Sequence, residues 1–528
     1  MRYHILILFV LTCLSNSFAQ VGIGTTSPDP SAILDVYSTN RGFLPPRMSE
    51  EEMYAISPRE AGLLVYCADC CEGELFFCDG SNWSSVGDCE QPLYISAIPS
   101  LINGSETSSV CADNHNIGTT PNFIPEARAY SRMVSDLGDY LYLFGGADKE
   151  IDGDCASDLS NELNTLWRYE ISTDTWSVLS AQVPLAAGLE AENQAGDYTN
   201  ADLDLRFPKS RARFAMTYDK NRNAIWVFGG FSGNAGLNDL WKYEITENRW
   251  VLIDGTNGQG VDAVFAGTPR PGSVYGHDIV IDLNGDLWMF GGDMQIGGSV
   301  GLSQDIWKFN VNGSANGGSW EHVKGGQALN QGGVAGVQGE ANALNVPGGR
   351  KYFAMDISEN NIIWMMGGRA RSTTNIEGNL GDLWKFNPTT TEWTFVTGAE
   401  SDNADETFLN NFTKGEITSM HIGSRKHFDM TIDESGTIWL FGGMLNANTR
   451  KGKDLWKFDS NTGVFTFISG KVNGTVNSGE PDLHWGYSIT NTQSATLYMF
   501  GGTDMNEETD DLVNDLGNDL WKFDLSVD

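Results

Sequence analysis

Apolar and polar residues alternate in short runs along most of this chain. "RARFAMTYD", "RKYFAMDI" and "RKHFDMTID" are examples, and turn-forming residues separate one run from the next. An alternation of period two puts every second side chain on one face, as in a half-buried strand. The runs also recur in a fixed order. Six stretches ("YLYLFGG", "AIWVFGG", "DLWMFGG", "IIWMMGG", "TIWLFGG", "TLYMFGG") end in a glycine pair that begins at Gly145, Gly229, Gly291, Gly367, Gly442 and Gly501. Each is followed by a Leu/Ile-Trp pair, at Trp167, Trp241, Trp307, Trp384, Trp456 and Trp521. Five of these continue to an outer aromatic: Trp176, Trp250, Trp320, Trp393 and Phe465. Each unit therefore holds four strands, A to D: the alternating run, the strand ending in Gly-Gly, the "DLWKF" strand and the strand with the outer aromatic. Paired glycines let the backbone turn where a Cβ would clash. Four-stranded units repeated about an axis predict an all-β, six-bladed β-propeller over residues 126–528.

The last unit, "LGNDLWKFDLSVD", stops at Asp528 after strand C. An open strand edge invites pairing with other chains. The missing strand D of blade six is therefore expected from residues 91–125. The leading candidate is "PLYISAIPSL", around Leu93 to Ile98, and "NWSSVG" at Trp83 is a second. The alternative is an incomplete blade.

Composition agrees with a turn-rich β protein: 61 Gly and frequent aromatics set against only 16 Pro. The formal net charge of -36 argues against nucleic acid and anionic membranes as partners. Residues 1–19 read as a signal peptide: Arg2, an apolar run from Ile5 to Leu14, and a small-residue cleavage site ending at Ala19. That run is too short to span a bilayer. The mature chain is expected to be secreted or held on the outer cell surface, without membrane insertion. Residues 20–90 form a small N-terminal domain with a cysteine cluster: Cys67, Cys70, Cys71, Cys78 and Cys89; Cys111 and Cys155 stand apart. Disulfides are the expectation in an exported protein, with a zinc cluster as the alternative, and the odd count leaves one thiol free or shared between chains.

With the Gly-Gly, strand-C and strand-D aromatics in place, residues 126–528 resemble kelch repeats. The similarity is strongest to secreted bacterial kelch proteins with "NDLWKF" motifs and a galactose-oxidase-like central domain. The N-terminal stretch "TTSPDPSAILDVYSTNRGFLPPRM", followed by "AISPREAGLLVYCADC", resembles a short domain at the start of bacterial surface and fibre-like proteins. That resemblance implies a stalk or assembly module, and so a homo-oligomer formed through this domain.

A–B and C–D turns are short, whereas the segments after Gly-Gly (B–C) and after the outer aromatic (D–A) are long. Strands within a blade are antiparallel, so the long segments emerge on one face, and binding sites sit on such loops. The first position of strand A is Arg128, Arg211, Val274, Arg350, Arg425 and His484, with His277 and His427 close by. In kelch proteins that bind acidic peptides, arginines at strand-A starts make the contact. The resemblance implies a ligand-binding ring at the channel mouth, suited to carboxylate or sulfate. The alternative is that these arginines pair with acidic residues and hold the blades together.

Two acidic B–C loops, carrying Asp148, Asp152 and Asp154 in blade one and Asp504, Glu507 and Asp510 in blade six, are candidates for calcium, though neither fits the EF-hand pattern. No cofactor is required otherwise. The copper ligand set of galactose-oxidase-like enzymes and the Glu-x3-Asp-x3-His pattern of plant specifier proteins are not found. The expectation is a non-catalytic binder of a glycan or protein. A carbohydrate-active enzyme of mutarotase or oxidase type, using the Arg/His ring, and a structural module of a surface assembly are the alternatives.

Overall fold

The computed structural model describes residues 21–85 in part, 98–103, 124–148 except 126, 161–179, 196–199, 206–256, 258–312, 317–398, 417–418, 422–445, 450–470, 486–492, 496–502 and 519–525. The chain divides into two compact units, Met1–Leu93 and Tyr94–Asp528.

In the first unit, Val21–Ile23 pairs in parallel with Leu34–Val36. A separate sheet orders Arg47–Met48, Leu64–Cys67, Glu74–Cys78 and Trp83–Ser85. Its core is Met53, Val65, Cys67, Phe76, Cys78 and Trp83. Trp83 thus belongs to this sheet and not to a propeller blade, which removes the second candidate for the closing strand. Cys67 and Cys78 are buried here; Cys70, Cys71, Cys89, Cys111 and Cys155 lie outside the described residues.

Among the described residues, the second unit forms six antiparallel sheets in the order A-B-C-D. Blade two shows the pattern: Ala215–Asp219, Ala224–Phe228, Leu240–Glu244 and Arg249–Asp254. The other inner strands are Arg132–Ser135, Asp278–Ile281, Ala354–Ile357, Asp429–Ile432 and Ser488–Thr492. Each strand A lies beside those of two neighbouring blades, and blade six returns to blade one, so the inner strands close a circle. The strand-C tryptophans and the outer aromatics are buried between successive blades. One such core joins Tyr142 and Phe144 of blade one to Ile225, Trp241 and Trp250 of blade two.

The closing strand of blade six is Ile98–Asn103, paired antiparallel with Leu520–Asp524. It shares Ile98 to Leu101 with the leading candidate, "PLYISAIPSL", and runs on to Asn103. The strand thus uses the C-terminal end of that candidate, Pro99 included, and not its more strongly alternating first half. An outermost strand tolerates proline, because the missing N–H faces away from the ladder. The C–D pairing carries a bulge between the Leu/Ile and the Trp of strand C in blades two to five, and the donated strand reproduces it between Leu520 and Trp521.

The glycine pairs stitch blades together. The second glycine donates its N–H to the carbonyl of the first strand-A residue of the next blade: Gly146 to Arg211 (3.0 Å), Gly230 to Val274 (2.8 Å), Gly292 to Arg350 (2.7 Å) and, closing the circle, Gly502 to Arg128 (3.0 Å). A Cβ on Gly145, Gly229 or Gly291 would meet those same carbonyls at 2.7–2.8 Å, so no other residue fits.

The side chains of the arginines expected at the channel mouth are buried within their blades. Arg128, Arg211, Arg350 and Arg425 are all 0 % exposed. Arg211 donates to both oxygens of Asp239 (2.8 and 2.6 Å) and to the Gly229 carbonyl (2.9 Å). Arg350 does the same to Asp382 (2.9 and 2.8 Å) and Gly367, and Arg425 to Asp454 (3.3 and 2.9 Å) and Gly442. The indole N–H of Trp241, Trp384 and Trp456 donates to the same carboxylates. Each set braces strands A, B and C of a single blade, so these guanidinium groups are not presented to a ligand. Burial by itself would raise the Asp239 carboxyl, but Arg211 holds it below the usual carboxylate range. In blade three, where Val274 replaces the arginine, Asp305 turns to His322 (2.9 Å) and Ser303 (2.8 Å) instead.

Two measurements check this account. Asp382→Ala strands a buried guanidinium and is expected to cost about 3–5 kcal/mol in denaturant unfolding; a loss near the roughly 1 kcal/mol of an exposed pair would refute the brace. Deleting residues 1–93 should leave a cooperative transition, whereas deleting 1–104 bares the edge of Leu520–Asp524, lowers the midpoint and promotes association. Equal stability of the two truncations would show that the donated strand does not close the circle.

Candidate functional site at the propeller axis

Two residues beyond the first position of each strand A lie Tyr130, Arg213, Gly276, Tyr352, His427 and Gly486. All six are left-handed, with φ between 54° and 73°. Each donates its N–H to the carbonyl of its counterpart in the preceding blade: Arg213 to Tyr130 (3.3 Å), Gly276 to Arg213 (2.8 Å), Tyr352 to Gly276 (2.8 Å), His427 to Tyr352 (2.9 Å), Gly486 to His427 (3.1 Å) and Tyr130 to Gly486 (2.7 Å). The backbone thus draws a closed circle of six hydrogen bonds around the axis.

The two glycines leave room, and the four larger side chains fill it. His427 stacks on Tyr352, ring centroids 3.9 Å apart, and lies 5.5 Å from Tyr130. The Arg213 guanidinium sits 4.4 Å over the Tyr130 ring, with Phe231 at 5.9 Å and Tyr352 at 6.0 Å. Lys351 lies over Tyr352 (5.0 Å) and Tyr275 (5.6 Å) and pairs with Asp293 at 2.5 Å. Tyr275 meets Phe231 edge-on at 5.2 Å. Arg213, Phe231, Tyr275, Lys351 and Tyr352 are half-buried. Burial and Asp293 push the Tyr275 phenol well above its usual range, leaving it a neutral donor.

This floor belongs to the elaborated face. Raised B–C hairpins surround it: Asp293–Ile296 with Ser299–Leu302, Ile363–Arg371 with Glu377–Asn387, and Thr437–Leu445 with Arg450–Asp459. The strand-A starts pair back onto them, Val274 to Met294, Arg350 to Ala370 and Arg425 to Leu445. Aromatic faces with two cations above them can hold a planar, anionic or sugar-like group.

Of the expected site residues that are described, only His427 enters this floor. His277 is buried beneath it, edge-on to Phe228 at 5.4 Å, and burial, aided by Arg132, pushes its pKa down to about 3, so it is neutral. Both histidines border a cavity of about 50 Å³. His484, Asp152, Asp154, Asp504, Glu507 and Asp510 lie outside the described residues, as does the side chain of Asp148, whose backbone pairs with Asn161. Among the described residues no group of three or more His, Cys, Asp or Glu is placed to hold a metal ion. Sequence reasoning missed Tyr130, Arg213, Tyr275, Lys351 and Tyr352. The available signal was their place just beyond a strand-A start, two residues on for Tyr130, Arg213 and Tyr352 and one residue on for Tyr275 and Lys351.

Comparison with known proteins finds a separate match for each part of the chain. Residues 191–405 match the family described as the KLHDC2/KLHL20/DRC7 Kelch-repeats domain. Residues 22–105 match the one described as a phage tail like trimerisation region. Kelch domain-containing protein 10 of Homo sapiens is 24% identical over 161 residues, 30% of this chain and 30% of that protein. The leucine-zipper-like transcriptional regulator 1 homolog of Drosophila melanogaster is 29% identical over 133 residues, 25% of this chain and 11% of that protein. The chain thus spans a third or less of the length of these curated relatives. Six A-B-C-D sheets closed about an axis, stitched by glycine pairs and matched to a kelch-repeat family, make the second unit an all-β kelch propeller.

Proposed function

We propose that this protein is a non-catalytic interaction module whose propeller takes a protein or glycan ligand on the hairpin-bearing face, over the floor of Tyr130, Arg213, Tyr275, Lys351 and Tyr352. The observation that carries this reading is the presence of two cations over an aromatic floor in a chain of net charge -36. Such a floor favours a ligand with a carboxylate or sulfate beside an apolar face, such as a uronic or sialic acid residue or an acidic peptide. The expected acidic ligand is kept, but its contacts move from the braced arginines to Arg213 and Lys351. The enzymatic alternative drew on the Arg/His ring; with three of those arginines committed to Asp239, Asp382 and Asp454, binding without turnover is the better-supported reading.

The N-terminal unit supplies assembly in this proposal. Val21, Ile23, Leu34 and Val36, on its parallel strand pair, and Tyr37, Phe43 and Leu44 beside it, are 43–68 % exposed. A lone strand pair with exposed apolar residues is marginal in water. Two further copies of the same segment would cover it, in line with the similarity to a trimerisation region. The protein would then act as an exported trimer presenting three propellers. Calcium in the acidic B–C loops of blades one and six is a separate proposal, tested by titrating the ion against unfolding temperature.

Arg213→Gln with Lys351→Gln should weaken binding of sialylated glycans, uronic-acid oligosaccharides or acidic peptides by roughly 10- to 100-fold, the worth of one or two charge-assisted contacts, in protein that still unfolds cooperatively. Undiminished binding in that variant, or no binding by the parent across the whole panel, sinks the assignment. Sedimentation should give a trimer for the intact protein and a monomer for Ile23→Asp with Val36→Asp. A parent that is monomeric at every concentration removes the assembly role.

A further inference from the structure

Beyond the hydrogen-bonded circle, on the side of the short A–B turns, the axis opens into a cavity of about 250 Å³ walled by all six inner strands. At about 30 Å³ per molecule it has room for roughly eight waters, or one small organic ligand. Its inner end is crossed by Arg132 of blade one, which reaches Asp278 of blade three (3.3 Å) and Asp429 of blade five (3.2 Å). Ser488 of blade six donates to Asp429 at 3.2 Å. One layer further out, Asp356 of blade four shares the wall with Thr217, Thr431 and Thr490.

The charge of this wall does not balance: three carboxylates, Asp278, Asp356 and Asp429, face a single guanidinium. Burial pushes the Asp278 and Asp356 carboxyls up to about 7, with the neighbouring carboxylates adding to the effect. A metal ion would need the carboxylates gathered about one point, and they are not so placed. They sit on separate blades around the bore, where an elongated cation with several N–H donors can reach more than one of them.

We propose that this cavity binds a small organic cation through a primary ammonium or guanidinium group, independently of the floor on the opposite face. Its cationic end lies beside Asp356, Asp278 and Asp429, its apolar stem lies along Val280 and Met355, and the threonine hydroxyls complete the donor and acceptor set. At the mouth the charged groups are Lys220, Glu359 and Glu434, together with Asp219, Asp282 and Asp433. The last three are occupied by the turns and by the indoles of Trp226, Trp288 and Trp439. Binding should therefore be strong above neutrality, where Asp278 and Asp356 are ionised, and weak below pH 6, where both are protonated.

The test is calorimetric titration of the full-length protein with n-butylguanidinium at pH 8 and pH 5.5, with butyrate as the anionic isostere and calcium chloride as the metal control. Saturable binding of the cation at pH 8, at least tenfold weaker at pH 5.5 and absent for butyrate, is expected. Thr217→Phe fills the bore without changing its charge and should abolish binding; Asp356→Asn should weaken it at least tenfold. If Asp356→Asn does not fold, Thr217→Phe alone decides. No binding at pH 8, binding retained in Thr217→Phe, or displacement of the cation by calcium overturns the proposal.

Discussion

Six backbone hydrogen bonds around the axis are the constraint on which the rest of the propeller depends. Each links a left-handed residue of one inner strand to its counterpart in the next blade, and the last returns from Tyr130 to Gly486. Four of the six positions are not glycine, and holding such residues in this conformation costs on the order of 1–3 kcal/mol each. The cost is sustained only because the circle is complete, so that every N–H finds its carbonyl. Completeness in turn requires six whole blades. The strand donated by Ile98–Asn103, the Gly502–Arg128 hydrogen bond and the axial circle are thus parts of one closure, and breaking any of them opens the same gap between blades six and one.

The repeat was legible because single-residue sterics dictate it. Only glycine fits against the next blade's carbonyl, and only a large flat aromatic fills the space between blades, so both recur in the text of the chain. The fate of the strand-A arginines was not legible in the same way. Their sequence position places them at the elaborated end of the innermost strand but says nothing of the direction in which the side chain leaves it. Arg211, Arg350 and Arg425 turn into their own blades, where an aspartate two residues before each strand-C tryptophan awaits them. Blades two, four and five carry both arginine and aspartate, a within-repeat pattern that could have indicated the pairing. Blade three blurs it, because Asp305 is present without the arginine and takes His322.

The floor residues were hidden for the opposite reason. Tyr, Arg, Gly, Tyr, His and Gly have no chemistry in common, so the position looks unconstrained. What unites them is a backbone conformation, visible in the sequence only as glycine at two of the six places. The closing strand falls at the C-terminal end of the expected stretch on similar grounds. Alternation favours Leu93 to Ile98, but an outermost strand is judged by its fit to a bulged edge, which Ile98–Asn103 meets despite Pro99.

The circle also divides the axis into two chemically opposed ends. Because Tyr130, Arg213, Tyr352 and His427 fill the bore at that level, a ligand on one face does not reach the other. The hairpin-bearing face gathers Arg213 and Lys351 over aromatic rings, against the grain of a strongly acidic chain. The turn-bearing face gathers Asp278, Asp356 and Asp429 around one Arg132. The layer that closes the propeller therefore also separates two ends of unlike charge along one axis.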